Sequence, residues 1–248
     1  MILDKNYIKE TLKKLGSKYG IRETFEDFVI CCAYSIANAT NYDQERENDY
    51  LKIAKKYEKE DFSSFPKMFA SLQIELGKDN FEDILGNLYE ELGLSNKHLG
   101  QFFTPIHISD LMTRITFNAD NIKTDITEKG YSSILDPCCG SGRMLLSYLK
   151  LIKDNNIDLN KVYFEGADLS KLCCCMTYVN LSLLGASAIV FNQDTLLQKR
   201  YDFYMTPGLL LNENLINKLI NSGTLELINE KESCQVKEED NLEESLYI

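Results

Sequence analysis

The 248-residue sequence lacks any apolar run of about 18 residues, the length that a membrane-spanning helix requires. Its opening stretch, MILDKNYIKETLKK, carries charges where a secretory signal peptide has its apolar stretch. With 44% apolar residues, the chain is long enough to bury one or two hydrophobic cores. We therefore expect a cytoplasmic protein that does not use a membrane.

Metal-binding cysteine spacing is also missing, because the eight cysteines form no C-x-x-C pair. They occur as two adjacent pairs, one run of three and a single residue: Cys31-Cys32, Cys138-Cys139, Cys173-Cys174-Cys175 and Cys234. Adjacent cysteines rarely ligate one metal ion, and secreted disulfide frameworks rarely show this arrangement. We expect small buried apolar side chains in a reducing compartment and no metal site. An iron–sulfur or zinc site is the disfavoured alternative.

Positive charge is scarce, since 27 Lys and Arg stand against 38 Asp and Glu, for a net charge of −11. The excess is uneven: residues from Leu209 onward carry −6 and the rest of the chain carries −5. Neutralising nucleic-acid phosphates needs basic surface, so we expect that the chain does not hold nucleic acid unaided. If DNA is a substrate, a basic partner subunit or a local basic patch would help to hold it. An acidic DNA mimic is less favoured.

Apolar spacing predicts helices, and no strands, through the first hundred residues. Phe25, Phe28, Val29, Cys32 and Ile36 recur at the spacing of one helix face. Similar patterns occupy residues 49–61, 63–76 and 80–94. We predict an α-helical N-terminal domain over residues 1–98.

After about residue 130, short runs rich in Ile, Val, Phe and Tyr alternate with helical patterns. The runs that favour strands are residues 131–137, 162–169, 187–194 and 200–205. This alternation is typical of an α/β fold with a parallel sheet and helices on both faces. We predict such a domain over residues 99–230, with a helix at 212–223 and a candidate strand at 224–228. An acidic tail follows over residues 231–248.

The segment ILDPCCGSGRML joins a strand end, a glycine turn and a helix start. Asp136 ends the strand, and Gly140 and Gly142 flank Ser141. Ligands of open α/β sheets bind at the carboxyl ends of the strands. There, glycines allow close backbone approach and a helix amino terminus offers free N–H groups. Dinucleotide and nucleotide folds share such a turn, but no Gly-Lys-Ser follows it, which excludes a P-loop.

Two further predicted strands also end in acids. Asp168, at the end of the second strand, could accept both ribose hydroxyl protons, and Asp194, at the end of the third, could accept the exocyclic amine of an adenine. Three consecutive strands that end in acids suit a cationic adenosyl ligand. The alternative is that Asp168 and Asp194 only cap helices or turns.

A Thr-Pro pair upstream predicts the start of another helix. In LGQFFTPIHISDLMTRI, Thr104 is the expected N-cap and Pro105 the expected first helical residue. A helix amino terminus with a hydroxyl beside it would receive a ligand carboxylate well. Ordinary helix capping is the alternative.

In order and spacing, the motifs LGQFFTP, DPCCGSG, GADLS, NLSLLG and QDTL resemble those of the adenine-specific (N6) DNA methyltransferases. The likeness is closest to the modification subunit of type I restriction–modification systems, and FEDILGNLYEEL resembles the helix before that family's Thr-Pro segment. It covers about Phe81 to Asp202. It implies a Rossmann-like, S-adenosylmethionine-dependent sheet, here truncated, and DNA as substrate, reached with a specificity or other partner subunit.

The resemblance also implies roles for single residues. The set that would bind S-adenosylmethionine is Phe103, Thr104, Pro105, Asp136, Gly140, Gly142, Asp168, Leu169, Asp194 and Thr195. The first three would hold the methionine end, and Asp136 with the two glycines would line the turn. Asp168 would bind the ribose, and Asp194 with Thr195 the adenine. Arg143 stands where the family often has a small residue; a solvated helix face is the favoured interpretation, and contact with an anion or partner the alternative.

One departure leaves open whether the chain is an enzyme. The family's fourth strand ends in Asn or Asp, then Pro-Pro and an aromatic residue, which hold and stack the target adenine. Here Thr206-Pro207-Gly208 stands in that place, and Gly208 cannot stack on a base. The catalytic residues are therefore unknown.

Three hypotheses remain. The first is a DNA adenine methyltransferase relative that is active alone or with a partner subunit. The second is a catalytically inactive S-adenosylmethionine-binding protein with a regulatory or anti-restriction role. The third, an unrelated nucleotide-binding domain, is least favoured because FFTP has no role there. Oligomeric state and target sequence are not encoded in these motifs.

Overall fold

The computed structural model describes residues 4–78, 81–94 and 103–225. Three predictions fall at least partly on other residues. The LGQF part of the LGQFFTP motif, the candidate strand beyond residue 225 and the acidic tail lie outside the described ranges.

The first part of the chain is helical, as predicted. Its helices are α1 (Lys5–Tyr19), α2 (Ile21–Thr40), α3 (Gln44–Ala54), α4 (Lys59–Phe62), α5 (Ser64–Leu76) and α6 (Ile84–Glu91). The predicted apolar stripe of α2 is buried, with Phe25, Phe28 and Val29 inaccessible to solvent. Aspartates begin three of these helices by accepting a backbone N–H: Asp4 for α1, Asp43 for α3 and Asp83 for α6.

The second part contains the sheet. Its elements are α7 (Ile106–Thr116), α8 (Ala119–Glu128), β1 (Ser132–Asp136), α9 (Arg143–Asp154), β2 (Val162–Asp168), α10 (Lys171–Leu183), β3 (Ser187–Asp194), β4 (Lys199–Met205), α11 (Pro207–Leu210) and α12 (Glu213–Asn221). The strand order is β1-β2-β3-β4, and β1, β2 and β3 are parallel. The predicted α/β fold, with helices before the sheet, is confirmed.

Strand β4 departs from the parallel arrangement that the sequence predicted. It pairs antiparallel with β3, with Ile189 opposite Met205 and Asn192 opposite Asp202. Only residues 195–198 separate the two strands. A parallel neighbour needs a crossover of a dozen or more residues, whereas a short link makes a hairpin. The end of β4 therefore lies beside the start of β3. This is the opposite end of the strands from the acids Asp136, Asp168 and Asp194.

Helices cover both faces of the sheet. On one face, α10 packs between the sheet and α2, so one apolar core runs from α1 through α2 and α10 to β2 and β3. On the other face, Leu215 and Leu219 of α12 pack with Tyr131, Tyr163 and other residues of the sheet. The helical part thus shares its core with the sheet, while the predicted division at residue 98 stays a prediction. Among the described helices, none is both long and apolar enough to cross a membrane.

Candidate cofactor site

The turn after β1 is built from backbone contacts with β2. The amide of Cys138 donates to Asp136 Oδ1 at 3.1 Å, which folds the turn back over the strand end. The amide of Cys139 donates to the carbonyl oxygen of Ala167 in β2 at 2.8 Å. These bonds hold the turn at the carboxyl ends of both strands, which is where the sequence predicted the ligand.

Both predicted glycines of this turn need their conformation and their lack of a side chain. Gly140 has φ +56° and Gly142 has φ +87°, which is backbone that favours glycine. A Cβ on Gly142 would lie 3.0 Å from the hydroxyl oxygen of Thr177. A Cβ on Gly140 would lie 3.1 Å from the ring of Phe103. The Phe103 ring thus packs directly on the turn and brings the Thr-Pro segment to it.

Asp168 connects the end of β2 to the turn. Its Oδ2 accepts the amide of Gly140 at 2.9 Å, and its Oδ1 accepts the amide of Ser170 at 2.8 Å. The N-cap of α10 is Ser170, whose hydroxyl accepts from Cys173, so Asp168 itself is not the helix cap. Its neighbour Leu169 is 62% exposed at the same edge.

The end of β3 reaches the same turn through Thr195. The hydroxyl of Thr195 donates to the carbonyl oxygen of Pro137 at 2.8 Å. Asp194 Oδ1 accepts the amides of Leu196 and Leu197 at 3.0 and 2.9 Å, so this carboxylate caps the β3–β4 turn. The structure therefore brings the three strand ends together. The alternative that these acids cap turns also holds, for Asp194 at the β3–β4 turn and for Asp168 through its bonds to the Gly140 and Ser170 amides.

The charge of this edge is negative. Burial raises the pKa of the Asp136 carboxyl, and the Asp168 charge raises it further, while the Cys138 amide opposes the shift. When the ionised form of a carboxyl is disfavoured in this way, a nearby cation stabilises that form. The edge therefore suits a ligand that carries positive charge.

The Thr-Pro segment starts α7 one residue later than predicted. The capping position belongs to Pro105, whose carbonyl oxygen accepts the amides of Ile108 and Ser109, and the helix begins at Ile106. No side chain caps this helix. The predicted N-cap role of Thr104 is therefore wrong, because the fixed φ of proline suits the residue that precedes the first turn as well as the first helical residue.

Arg143 is buried, so the favoured prediction of a solvated helix face is wrong. It is 6% exposed and donates from Nε to Asp83 Oδ2 at 3.0 Å. One terminal nitrogen donates to the carbonyl oxygen of Thr104 at 2.7 Å. The other donates to Asn87 Oδ1 at 3.1 Å and lies 3.4 Å from Glu90 Oε2. The arginine thus joins α6, the Thr-Pro segment and the start of α9.

Asp83, which the sequence analysis did not single out, is the centre of this cluster. It is 1% exposed and accepts the Ser141 hydroxyl at 2.5 Å, the Asn180 amide at 3.3 Å and the Gly86 amide at 2.9 Å. A Cβ on Gly86 would overlap the Asp83 carboxylate. Two signals in the sequence could have indicated this cluster: Asp83 followed by Gly86 at a helix start, and a single arginine in the apolar stretch GSGRMLL.

Thr206, Pro207 and Gly208 do not lie at the candidate cofactor edge, which the carboxyl ends of β1, β2 and β3 form. Thr206 is fully buried; its hydroxyl donates to the carbonyl oxygen of Ala186 at 2.6 Å and accepts the amide of Ala188 at 2.9 Å. A Cβ on Gly208 would lie 2.7 Å from the same Ala186 oxygen. This segment binds the start of β3 and has a structural role, because β4 runs antiparallel.

Comparison with known sequences places this site in a family. The family model for N-6 DNA Methylase matches residues 79–213, more than half of the chain. The chain belongs to this family. The matched range includes Asp83, the Thr-Pro segment, the glycine turn and all four strands. Family membership, together with the observed sheet, confirms the fold class that the motifs implied.

Curated relatives are methylase subunits of type I restriction enzymes. The MjaIX methylase subunit of Methanocaldococcus jannaschii is 27% identical over 142 residues, which are 53% of this chain and 24% of that protein. The MpnII methylase subunit of Mycoplasma pneumoniae is 28% identical over 138 residues, with the same two shares. The predicted likeness to type I modification subunits is confirmed. The chain spans about a quarter of the length of these relatives.

A solved structure from Listeria monocytogenes, described as a class I S-adenosylmethionine-dependent methyltransferase, is 21% identical. The similarity covers 71% of this chain and 54% of that chain, with a TM-score of 0.35.

Proposed function

We propose that this chain binds S-adenosylmethionine at the edge formed by the carboxyl ends of β1, β2 and β3. One observation carries the proposal: the glycine turn, the Asp168 carboxylate and the Phe103 ring meet at Gly140. The family's cofactor motifs are thus assembled in space as well as in sequence. When bound, this cofactor supplies an electrophilic methyl group on a sulfonium.

The residues at this edge fit that cofactor. Phe103, Thr104 and Pro105 would hold its methionine end, next to the turn on which Phe103 packs. Asp168 would accept the ribose hydroxyls with the lone pairs that its two amide contacts leave available. The half-buried Asp136 carboxyl would favour the cationic ligand. Asp194 and Thr195 would face the adenine, with Leu169 beside the ribose.

We further propose that methyl transfer to adenine in DNA requires a partner polypeptide. The adenine amino group is a weak nucleophile, and acceptors must hold its hydrogens and aim its nitrogen at the methyl group. The segment expected to do so is Thr206-Pro207-Gly208. It lies at the opposite end of the strands, where it binds the start of β3. A partner would also supply basic surface, which a chain with a net charge of −11 needs in order to hold DNA.

The position of Thr206 equally favours a second candidate function. In that alternative the chain binds S-adenosylmethionine without using it, as a regulatory or anti-restriction protein. The two candidates differ in whether methyl transfer appears when a partner is added. Under both candidate functions, the isolated chain is expected to show no robust methyl transfer to DNA.

Calorimetry tests the cofactor proposal directly. S-adenosylmethionine is expected to bind with micromolar affinity and NAD to bind far more weakly or not at all. Equal or stronger binding of NAD would support the unrelated nucleotide-binding domain instead. No heat and no thermal stabilisation with saturating S-adenosylmethionine would overturn the proposal.

A tritiated-methyl assay tests the second step. The isolated chain is incubated with labelled cofactor and DNA of mixed sequence, with and without a type I specificity subunit. Label incorporated only with the added subunit supports the enzyme, and no label in either case supports the regulatory alternative. Robust labelling by the isolated chain would contradict the need for a partner.

A further inference from the structure

The guanidinium of Arg143 holds together three parts of the chain that are distant in sequence. Asp83 and Thr104 are 60 and 39 residues from it, and its planar fork contacts both at once, at 3.0 and 2.7 Å. Its carbon centre also lies 5.9 Å from the centre of the Phe103 ring, within the range of a cation–π contact. Arg143 therefore contacts both Phe103 and Thr104.

Asp83 fixes the orientation of this arginine. Its carboxylate accepts from Arg143, Ser141, Asn180 and the Gly86 amide, so it has little freedom to rotate. Ser141 and Arg143 belong to the turn and to the start of α9, whereas Asp83 and Gly86 start α6. Through Asp83, the helical part of the chain thereby holds the glycine turn after β1 in place.

Arg143 contacts the backbone carbonyl oxygen of Thr104 and not its side chain. The Thr104 side chain is exposed, and no side chain caps α7. The Arg143 bond to the Thr104 carbonyl oxygen is thus a fixed point of the segment from Phe103 to Pro105. A charge-assisted bond from a buried donor is stronger than one between neutral groups.

We propose that Arg143, held by Asp83, is a positioning residue. It keeps the Phe103–Pro105 segment in the position that binds the methionine end of S-adenosylmethionine. This inference rests on the proposed function. In this proposal Arg143 acts on the ligand through Thr104 and Phe103, which it contacts, and not directly. The inference assigns a cofactor role to a residue that the sequence analysis expected on a solvated helix face.

The test is Arg143→Lys, with two ligands. Lysine keeps a positive charge beside Asp83 but has no fork that reaches Asp83 and Thr104 together. S-adenosylmethionine is a sulfonium that carries the methionine end, and 5′-methylthioadenosine is the neutral adenosyl thioether that lacks it. Because Arg143→Lys keeps the positive charge of the protein, the sulfonium charge alone should not make the two ligands respond differently to the variant. We expect the variant to lose about tenfold or more in affinity for S-adenosylmethionine, as for loss of a charged hydrogen bond. Affinity for 5′-methylthioadenosine should change by no more than about twofold.

Arg46→Lys is the matched control. Arg46 also donates to a backbone carbonyl, that of Asn41 at 2.8 Å, and also lies beside a carboxylate, that of Asp43 at 3.9 Å. It belongs to α3 and not to the cofactor edge, so both affinities should stay at the wild-type values.

The possible outcomes separate this inference from the proposed function. If the wild-type chain binds neither ligand, the proposed function fails and this inference fails with it. If the wild type binds both, and Arg143→Lys weakens both equally or neither, only the positioning role is overturned. Hydrogen exchange supplies a readout without ligand: the amide of Ser109, bonded to the Pro105 carbonyl oxygen, should exchange faster in Arg143→Lys than in Arg46→Lys.

Discussion

The amide of Gly140 donates to the carboxylate of Asp168 at 2.9 Å, and this bond joins the turn after β1 to the end of β2. Asp168 thus has two functions in the proposal: it shapes the turn and it binds the ribose. A substitution that removes its carboxylate acts on both. The residue is therefore the first target for mutation.

Asp168→Ala should weaken binding of S-adenosylmethionine by about 1.5 to 3 kcal/mol, the contribution of a hydrogen bond to a charged group. Calorimetry measures it directly. Asp158→Ala is the control, because Asp158 caps the short turn before β2 and lies at the other end of that strand. Unchanged affinity in Asp168→Ala would mean that the ribose binds elsewhere.

Affinity for S-adenosylmethionine should rise with pH through the raised pKa of Asp136. Since burial raises that pKa in the folded protein, the contribution of this carboxyl to stability is present at acid pH and is lost as the pH rises through the raised value. The ionised form is the one that attracts the cationic ligand. The increase in Tm produced by the ligand should therefore grow over the same pH interval.

Thermal unfolding over a pH series, with and without ligand, measures this effect. Asp136→Asn should remove the growth of the ligand effect with pH, and 5′-methylthioadenosine, which carries no sulfonium charge, should show little of it. An identical pH dependence in Asp136→Asn would assign the effect to another group.

Gly142→Ala should destabilise the protein more than Gly93→Ala. Both glycines have positive φ, +87° and +68°, so an alanine costs about 1–2 kcal/mol of unfolding free energy at either position. At Gly142 the new methyl group would also lie 3.0 Å from Thr177, and this crowding adds about 1–3 kcal/mol, whereas at Gly93 no atom lies within 4 Å. Urea unfolding measures the difference. Equal losses would show that the turn can move away from α10.

Two threonine-to-valine substitutions test the direction of β4. Thr206→Val removes a buried hydroxyl with two backbone partners and should cost about 1–3 kcal/mol of unfolding free energy, with cofactor affinity unchanged. Thr195→Val removes the bond to Pro137 at the cofactor edge and should weaken cofactor binding with a smaller loss of stability. The opposite result, weaker binding in Thr206→Val with full stability, would place Thr206 at the cofactor edge.

Local patterns were sufficient to predict α2 and the strand ends. The stripe of Phe25, Phe28 and Val29 encodes a buried helix face, and a glycine turn after an acid-ending strand marks the carboxyl end of that strand. These features depend on residues close together in the sequence, so the sequence shows them directly.

The antiparallel direction of β4 could also have been predicted from the sequence, although the strand pattern alone predicted a parallel strand. The run from Arg200 to Met205 resembles one more parallel strand when it is considered alone, and the family likeness supports that interpretation. The link of residues 195–198 excludes it, because four residues cannot contain a crossover helix. The length of the connection, and not the composition of the strand, decides the pairing.

The apolar stretch around Arg143 indicates that this arginine is buried, but its partners and its role could not be derived from local sequence. Its partner Asp83 is 60 residues away, and the two meet because α6 packs against the start of α9. An arginine after a glycine turn is normally exposed, and only the tertiary structure shows the carboxylate that compensates its burial.

The hairpin between β3 and β4 also decides where this sheet can become wider. Helices α2 and α3 lie alongside β4, separated from it by a cavity of about 320 Å³ whose lining includes Tyr34, Asp49 and Tyr204. Across the sheet, β1 has β2 as its one strand neighbour within the described ranges. A polypeptide that widened the sheet at this second edge would add its strand to β1. If it ran parallel, its last residues would arrive beside Asp136, where the methyl donor is proposed to bind.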